Sequence, residues 1–184
     1  MIPEKAFGAV FLFDENSSKL IKNVWQQISS VGLSSFLIES SDQPHLSLSI
    51  CKDIDCDQAE TTFKSFVASI EPFSITLPSI GIFPSTGVVY YGVTVTEHLV
   101  RIHRDFTEIF KKVADTPSEL YFPGSWVPHV TLAYDLPEDQ ISKTVEIVRK
   151  TKLPITCSIE RIALIEFPPW KECVSCDLRH CLET

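Results

Sequence analysis

PHLSL at residues 44–48 returns as PHVTL at residues 128–132, an offset of 84 positions. The same offset carries the apolar run AFGAVFLF (6–13) onto 90–97, and the amphipathic stretch that follows it onto 101–115, each within a few residues of a later strand and helix. Both halves therefore run strand, helix, His-bearing strand, helix, strand. Five matching residues alone could be chance, but agreement in the order of the surrounding elements makes chance a poor account. A twofold-like repeat of this kind brings equivalent strands to face each other.

Working outward from the first motif, residues 6–13 read as a buried strand. Ser17 or Ser18 caps a helix with Leu20, Ile21, Val24, Trp25, Ile28 and Val31 on one face, and Gly32 stops it. After the motif strand comes a helix carrying Ala59, Phe63, Phe66, Val67 and Ile70, ended by Pro72. Residues 73–83 are strand-like but interrupted by Pro78, and the turn Pro84-Ser85-Thr86-Gly87 leads into VVYYGVTV (88–95), a hairpin. Leu99, Ile102, Phe106, Ile109, Phe110 and Val113 mark the next helix, and a loop over 116–128 precedes the second motif strand. A helix over 138–150 and closing strands over 155–167 and 172–179 complete the series. No linker interrupts it, so residues 1–184 read as one domain with internal repeats at roughly 6–83 and 88–179.

Composition narrows the function classes. With 44% hydrophobic residues the chain has enough apolar material for a sizeable core, and 24 acidic against 16 basic residues leave a net charge of -8. That charge argues against a long duplex gripped through its phosphates, while a short phosphorylated ligand stays open. The run 6–13 is too short for a membrane span and is followed at once by Asp14 and Glu15, so it is expected to be a strand and the protein cytoplasmic. Six cysteines, at 51, 56, 157, 173, 176 and 181, are then expected as reduced thiols. Cys173, Cys176, His180 and Cys181 have donor types suited to zinc, but Val174, Cys176 and Leu178 alternate as a strand does and no second CxxC completes a site; no metal and no cofactor is expected.

Side chains alternate across a strand, so His45 and Ser47 share one face and Leu46 and Leu48 the other; His129 and Thr131 likewise oppose Val130 and Leu132. Each half thus offers an imidazole, able to move protons near neutral pH, beside a hydroxyl able to bond a phosphoryl oxygen. A single His on a strand is more often a structural or surface residue, and His98, His103 and His180 take that reading. The duplicated motif is different, because a core strand has no packing reason to want His and a hydroxyl on one face twice. Two such pairs across a cleft supply a base, an acid and phosphate anchors, a phosphodiester site that needs no metal; which His is the base stays open.

These motifs, each preceded by Pro and followed by Leu, resemble those of the 2H phosphoesterases, which include 2'-5' RNA ligase-like proteins and plant-type cyclic phosphodiesterases. GIFPSTGVVYYGV (81–93) is similar to that family's hairpin of a Gly-x-Phe turn, an apolar strand and Gly-Val, and the likeness spans nearly the whole chain. The resemblance implies a bilobal, pseudo-twofold α+β fold with two antiparallel sheets lining a central cleft and helices outside. It also implies metal-free chemistry at 2',5' or 2',3'-cyclic phosphate linkages, with His45 and His129 catalytic and Ser47 and Thr131 holding the phosphate. Many ligase-like members carry Arg shortly after the second motif, where this chain has Ala133-Tyr134, closer to the cyclic phosphodiesterase branch; the acidic stretch Asp53, Asp55, Asp57, Glu60 points the same way. Phe83, Tyr90, Tyr91 and Trp126 are candidates for stacking a base, each with ordinary packing as the plainer reading. The expected partner is a small cyclic nucleotide or short RNA end, bound by a monomer with no long duplex and no membrane. The alternatives are a 2'-5' RNA ligase or phosphodiesterase, and a nucleotide-binding module without chemistry.

If Thr131 anchors phosphate, Thr131→Val, which keeps shape but loses the hydroxyl, should lower kcat/KM by the equivalent of about 1.5 to 3 kcal/mol, and Thr131→Ser should be mild. Full kcat/KM for Thr131→Val on the best substrate would make Thr131 a packing residue.

Overall fold

The computed structural model describes residues 5–178. In chain order it runs β1 (Ala6–Phe13), α1 (Glu15–Ser30), α2 (Phe36–Glu39), β2 (His45–Cys51), β3 (Asp53–Ile54), α3 (Cys56–Val67), β4 (Ser74–Leu77), β5 (Ser79–Phe83) and β6 (Val88–Gly92). Then follow α4 (Glu97–Phe110), β7 (Ala114–Asp115), a 3-10 turn (Glu119–Tyr121), β8 (His129–Ala133), α5 (Glu138–Val148), β9 (Ile155–Phe167) and β10 (Lys171–Asp177). The architecture is α+β with antiparallel sheets, as the repeat and the resemblance lead one to expect.

Two sheets carry the two motif strands. One has the order β10-β9-β1-β2 with β4 paired to the far end of β9, and the other the order β5-β6-β8. Each sheet is completed from the other repeat: β9, with β10 beyond it, lies beside β1, and β5 lies beside β6. Pro78 sits at the crossover between β4 and β5, where a residue with no N–H to donate ends one ladder before the next begins. The β4–β9 ladder pairs Ser74 with Ser158, which the 84-residue offset equates, so a local twofold axis passes between them.

The helices close the outside of the sheets through their apolar stripes. Ile21, Val24, Trp25 and Ile28 of α1 and Leu99, Ile102, Phe106 and Phe110 of α4 are buried, and edge-on contacts of Phe63 and Phe66 with Phe106 join α3 to α4. No helix among the described residues is long and apolar enough to cross a membrane.

Three local expectations need correction. The N-cap of α1 is Asp14, not Ser17 or Ser18. Its carboxylate accepts from the Ser17 N–H at 2.9 Å and also from the Ser158 N–H at 2.9 Å, tying the helix start to β9 as a hydroxyl, with one oxygen, cannot so readily do. Leu20 and Val31 are exposed, so the buried stripe of α1 is narrower than its apolar pattern. α3 ends at Val67, and Ile70 reaches the core from a turn closed by its N–H to the Val67 carbonyl. Asp55, read as part of an acidic stretch, caps α3 by accepting from the Asp57 and Gln58 N–H groups.

The motif strands have the two faces their alternation predicts: Leu46, Leu48 and Val130 are wholly buried, Leu132 nearly so, and His45, Ser47, His129 and Thr131 are partly open. Leu46→Ala should therefore lower folding stability by about 2 to 5 kcal/mol in denaturant titrations, as truncation of a buried Leu does. Ser47→Ala, one residue along, should change it far less; equal effects would contradict the two-faced strand.

Candidate active site

β2 and β8 lie against each other and present their open faces to one cleft, lined by His45, Ser47, His129 and Thr131 and having a volume of about 550 Å³. The backbone fixes both imidazoles in the same way. Nδ1 of His45 lies 2.6 Å from the Gln43 carbonyl oxygen, and Nδ1 of His129 lies 2.7 Å from that of Val127. A carbonyl can only accept, so in each neutral ring Nδ1 carries the proton and Nε2, on the side away from the backbone, is left basic. Burial holds the His129 imidazole below its ordinary range and the nearby His45 pushes the same way, against the opposing effect of the Val127 carbonyl.

Each motif is also pinned by an indole. The Trp25 N–H donates to the Thr131 carbonyl at 3.0 Å, and the Trp126 N–H to the Ser47 carbonyl at 3.0 Å, so the first half holds the second and the second the first. Trp126 lies flat on His103 (3.8 Å between ring centres, 5° between planes), and His103 Nε2 lies 3.1 Å from the Leu48 carbonyl oxygen. His103 is buried in this structural arrangement, and His98 meets Phe73 edge-on. Burial pushes the Tyr121 phenol, which also lines the cleft, up to about 12.

The aromatic candidates divide. Phe83 lines the cleft and meets His129 edge-on at 4.9 Å; Tyr90 lies against both Phe83 and His129, its ring occupying space that a Cβ on Gly81 would fill. Trp126 lines the cleft too, but one face of its ring is covered by His103. Tyr91 is corrected: it is fully buried on the opposite face of β6 and cannot reach a ligand. Sequence reasoning passed over Trp170, whose ring centre lies 5.3 Å from that of His45, and Phe36 and Tyr134, which pack together on the rim. It also passed over Asp42, whose side chain is 3.5 Å from His45 Nδ1. The available signal for Asp42 was a carboxylate three positions before one motif His and not the other.

Among the described residues lining the cleft, Asp42 is the one carboxylate and there is no Lys or Arg. No group of three or more His, Cys, Asp or Glu among the described residues could hold a metal ion. Cys173 and Cys176 lie on β10, away from the cleft lining; His180 and Cys181 lie outside the described residues.

Residues 23–168 match the model of the 2'-5' RNA ligase superfamily. The fold is similar to that of Escherichia coli LigT complexed with 3'-AMP (TM-score 0.63, 12% identity, 96% of this chain and 99% of that one). It is also similar to a solved phosphoesterase (TM-score 0.59, 14% identity, 95% and 98%) and to a protein of Thermus thermophilus (TM-score 0.55, 14% identity, 95% and 98%). No curated protein matches the chain in sequence.

The lowered proton affinity of His129 has a consequence for stability. The unfolded chain binds that proton near the ordinary imidazole value of 6.5, whereas the fold keeps the ring neutral to lower pH. Stability should therefore fall as pH drops through 6.5 toward the folded value, and buried His103, lowered by desolvation, adds to the effect. In denaturant titrations at several pH values between about 7.5 and 5, His129→Gln should flatten this dependence. An unchanged slope would contradict the assignment.

Proposed function

Because the chain belongs to the 2'-5' RNA ligase superfamily, we propose that it is a metal-independent phosphodiesterase whose acid and base are His45 and His129, acting on a 2',3'-cyclic phosphate or a similarly small nucleotide diester. One imidazole Nε2 takes the proton from the attacking oxygen as it bonds to phosphorus, and the other gives a proton to the leaving oxygen as its bond breaks. Ser47 and Thr131 donate to the phosphoryl oxygens between them. The observation that carries this reading is the pair of Nδ1-to-carbonyl contacts, which leave two basic Nε2 atoms on one cleft, each on a strand that also presents a hydroxyl.

The proposed size and charge of the substrate rest on the lining. A cleft of about 550 Å³ with no lining Lys or Arg among the described residues offers little to a polyphosphate backbone but suits one diester carrying one charge. Phe83 on the His129 side and Trp170 on the His45 side offer ring faces or edges to a base. LigT is solved with 3'-AMP, a nucleotide of the size proposed here.

The test is a substrate panel of 2',3'-cyclic nucleotides and 2',5'- and 3',5'-linked dinucleotides. Turnover of a cyclic member is expected, with His45→Ala and His129→Ala each slower by on the order of 10² to 10⁴-fold and the double variant barely worse than either. Activity should survive exhaustive chelation. Loss on chelation with restoration by zinc or manganese, or near-wild-type rates in either single variant, would overturn the mechanism; preference for 2',5' linkages would move the substrate, and binding without turnover would leave a nucleotide-binding module.

A further inference from the structure

Asp42 breaks the twofold relation between the two halves. It stands three residues before His45, where the second motif has Trp126 three residues before His129. Ser41, with φ at 58°, turns the chain out of α2, and the Asp42 N–H then donates to the Leu37 carbonyl at 3.0 Å. The Gln43 N–H donates to Asp42 Oδ1 at 2.9 Å, while Lys22 of α1 is occupied with Gln43 Oε1 at 2.6 Å. The carboxylate is thereby held, with 15% of its side chain exposed, 3.5 Å from Nδ1 of His45. Burial pushes the Asp42 carboxyl up, while His45, the Gln43 N–H and Lys22 act to keep it ionised; in its ionised form a carboxylate so placed favours a cation beside it.

The groups around His45 leave Asp42 as its one acidic neighbour in the lining. The titratable residues of the cleft besides His45 are Asp42, Tyr121, His129 and Tyr134, and Lys22 stands behind Asp42 close enough to act on its charge. Across the cleft, His129 meets the Val127 carbonyl and the rings of Phe83 and Tyr90.

We propose that Asp42 is a positioning residue that divides the labour of the two imidazoles: beside it His45 holds the proton in the resting enzyme and is the general acid, and His129 is the general base. This rests on the two-imidazole reading above. In the step, the oxygen of an attacking water bonds to phosphorus as one of its protons passes to His129 Nε2. The bond from phosphorus to the leaving oxygen breaks, and that oxygen takes the proton from His45 Nε2. One proton is gained and one given, and exchange with water resets the pair. Burial, which holds His129 below the ordinary imidazole range, supports its part in this division.

Two measurements on the full chain test the proposal. Ring-proton NMR of the free protein follows proton uptake by each imidazole; Asp42→Asn should move uptake by His45 to lower pH and that by His129 much less. The second compares nucleotide diesters having an alcohol or a nitrophenol leaving group. A nitrophenolate needs little protonation, so it should bring His45→Ala to within about tenfold of wild type and leave His129→Ala as impaired as before. Asp42→Asn should show the milder form of the His45 pattern, with the change in kcat and not in KM. Unmoved uptake at His45 in Asp42→Asn, or rescue of His129→Ala in place of His45→Ala, overturns the proposal. The second comparison needs no Asp42 variant, so a folding defect there cannot mask the result. Should no diester be turned over by the wild type, the phosphodiesterase reading fails, while the NMR titration still decides whether Asp42 holds the proton on His45.

Discussion

A carbonyl oxygen within hydrogen-bond distance of each motif Nδ1 is the constraint on which the site depends. It sets the tautomer of two rings at once and turns both Nε2 atoms from the backbone toward the cleft. The carbonyl belongs to the residue two before each His, so a strand that shifted register would lose it along with the face the ring occupies. Register in turn is held by Leu46, Leu48, Val130 and Leu132, whose burial on the opposite face makes a one-residue slip costly. Core packing and proton chemistry are thus two sides of the same two strands.

The cleft has a definite geometry because neither half is complete alone. β9 supplies β1 with a neighbour and β5 supplies β6 with one, while the Trp25 and Trp126 indoles reach across to the carbonyls of the opposite motif. Buried carbonyls are strong acceptors that must be satisfied, so each indole both fills space and removes an unpaired polar group beside the site. His103, stacked on Trp126, extends that support into α4.

The sequence made legible what periodicity and repetition encode. Alternation in PHLSL and PHVTL showed which side chains share a face, and the 84-residue offset showed that the two faces are equivalents. Features that depend on a third element stayed hidden. Ser17 looks like a cap until Ser158 of β9 is known to claim the Asp14 carboxylate as well. Tyr90 and Tyr91 are indistinguishable in composition, and register alone sends the first against Phe83 and His129 and the second to the core. Trp170 reaches His45 from the turn between the last two strands, a contact that nothing local announces. Asp42 lies in a polar stretch that reads as loop, and its closeness to Nδ1 depends on the left-handed turn at Ser41.

The twofold axis between Ser74 and Ser158 bears on how such a chain can be divided. A single repeat would leave its own central strand without the neighbour that the other repeat provides, and would expose a bare ladder of N–H and C=O groups. Two copies of one repeat could close both sheets by exchanging those strands about the same axis, but their association would depend on concentration. Joining the copies in one chain replaces that dependence with a fixed effective concentration. It also frees the two motifs to diverge, since a symmetric pair of copies would have to carry an acidic residue, or a tryptophan, at both positions at once.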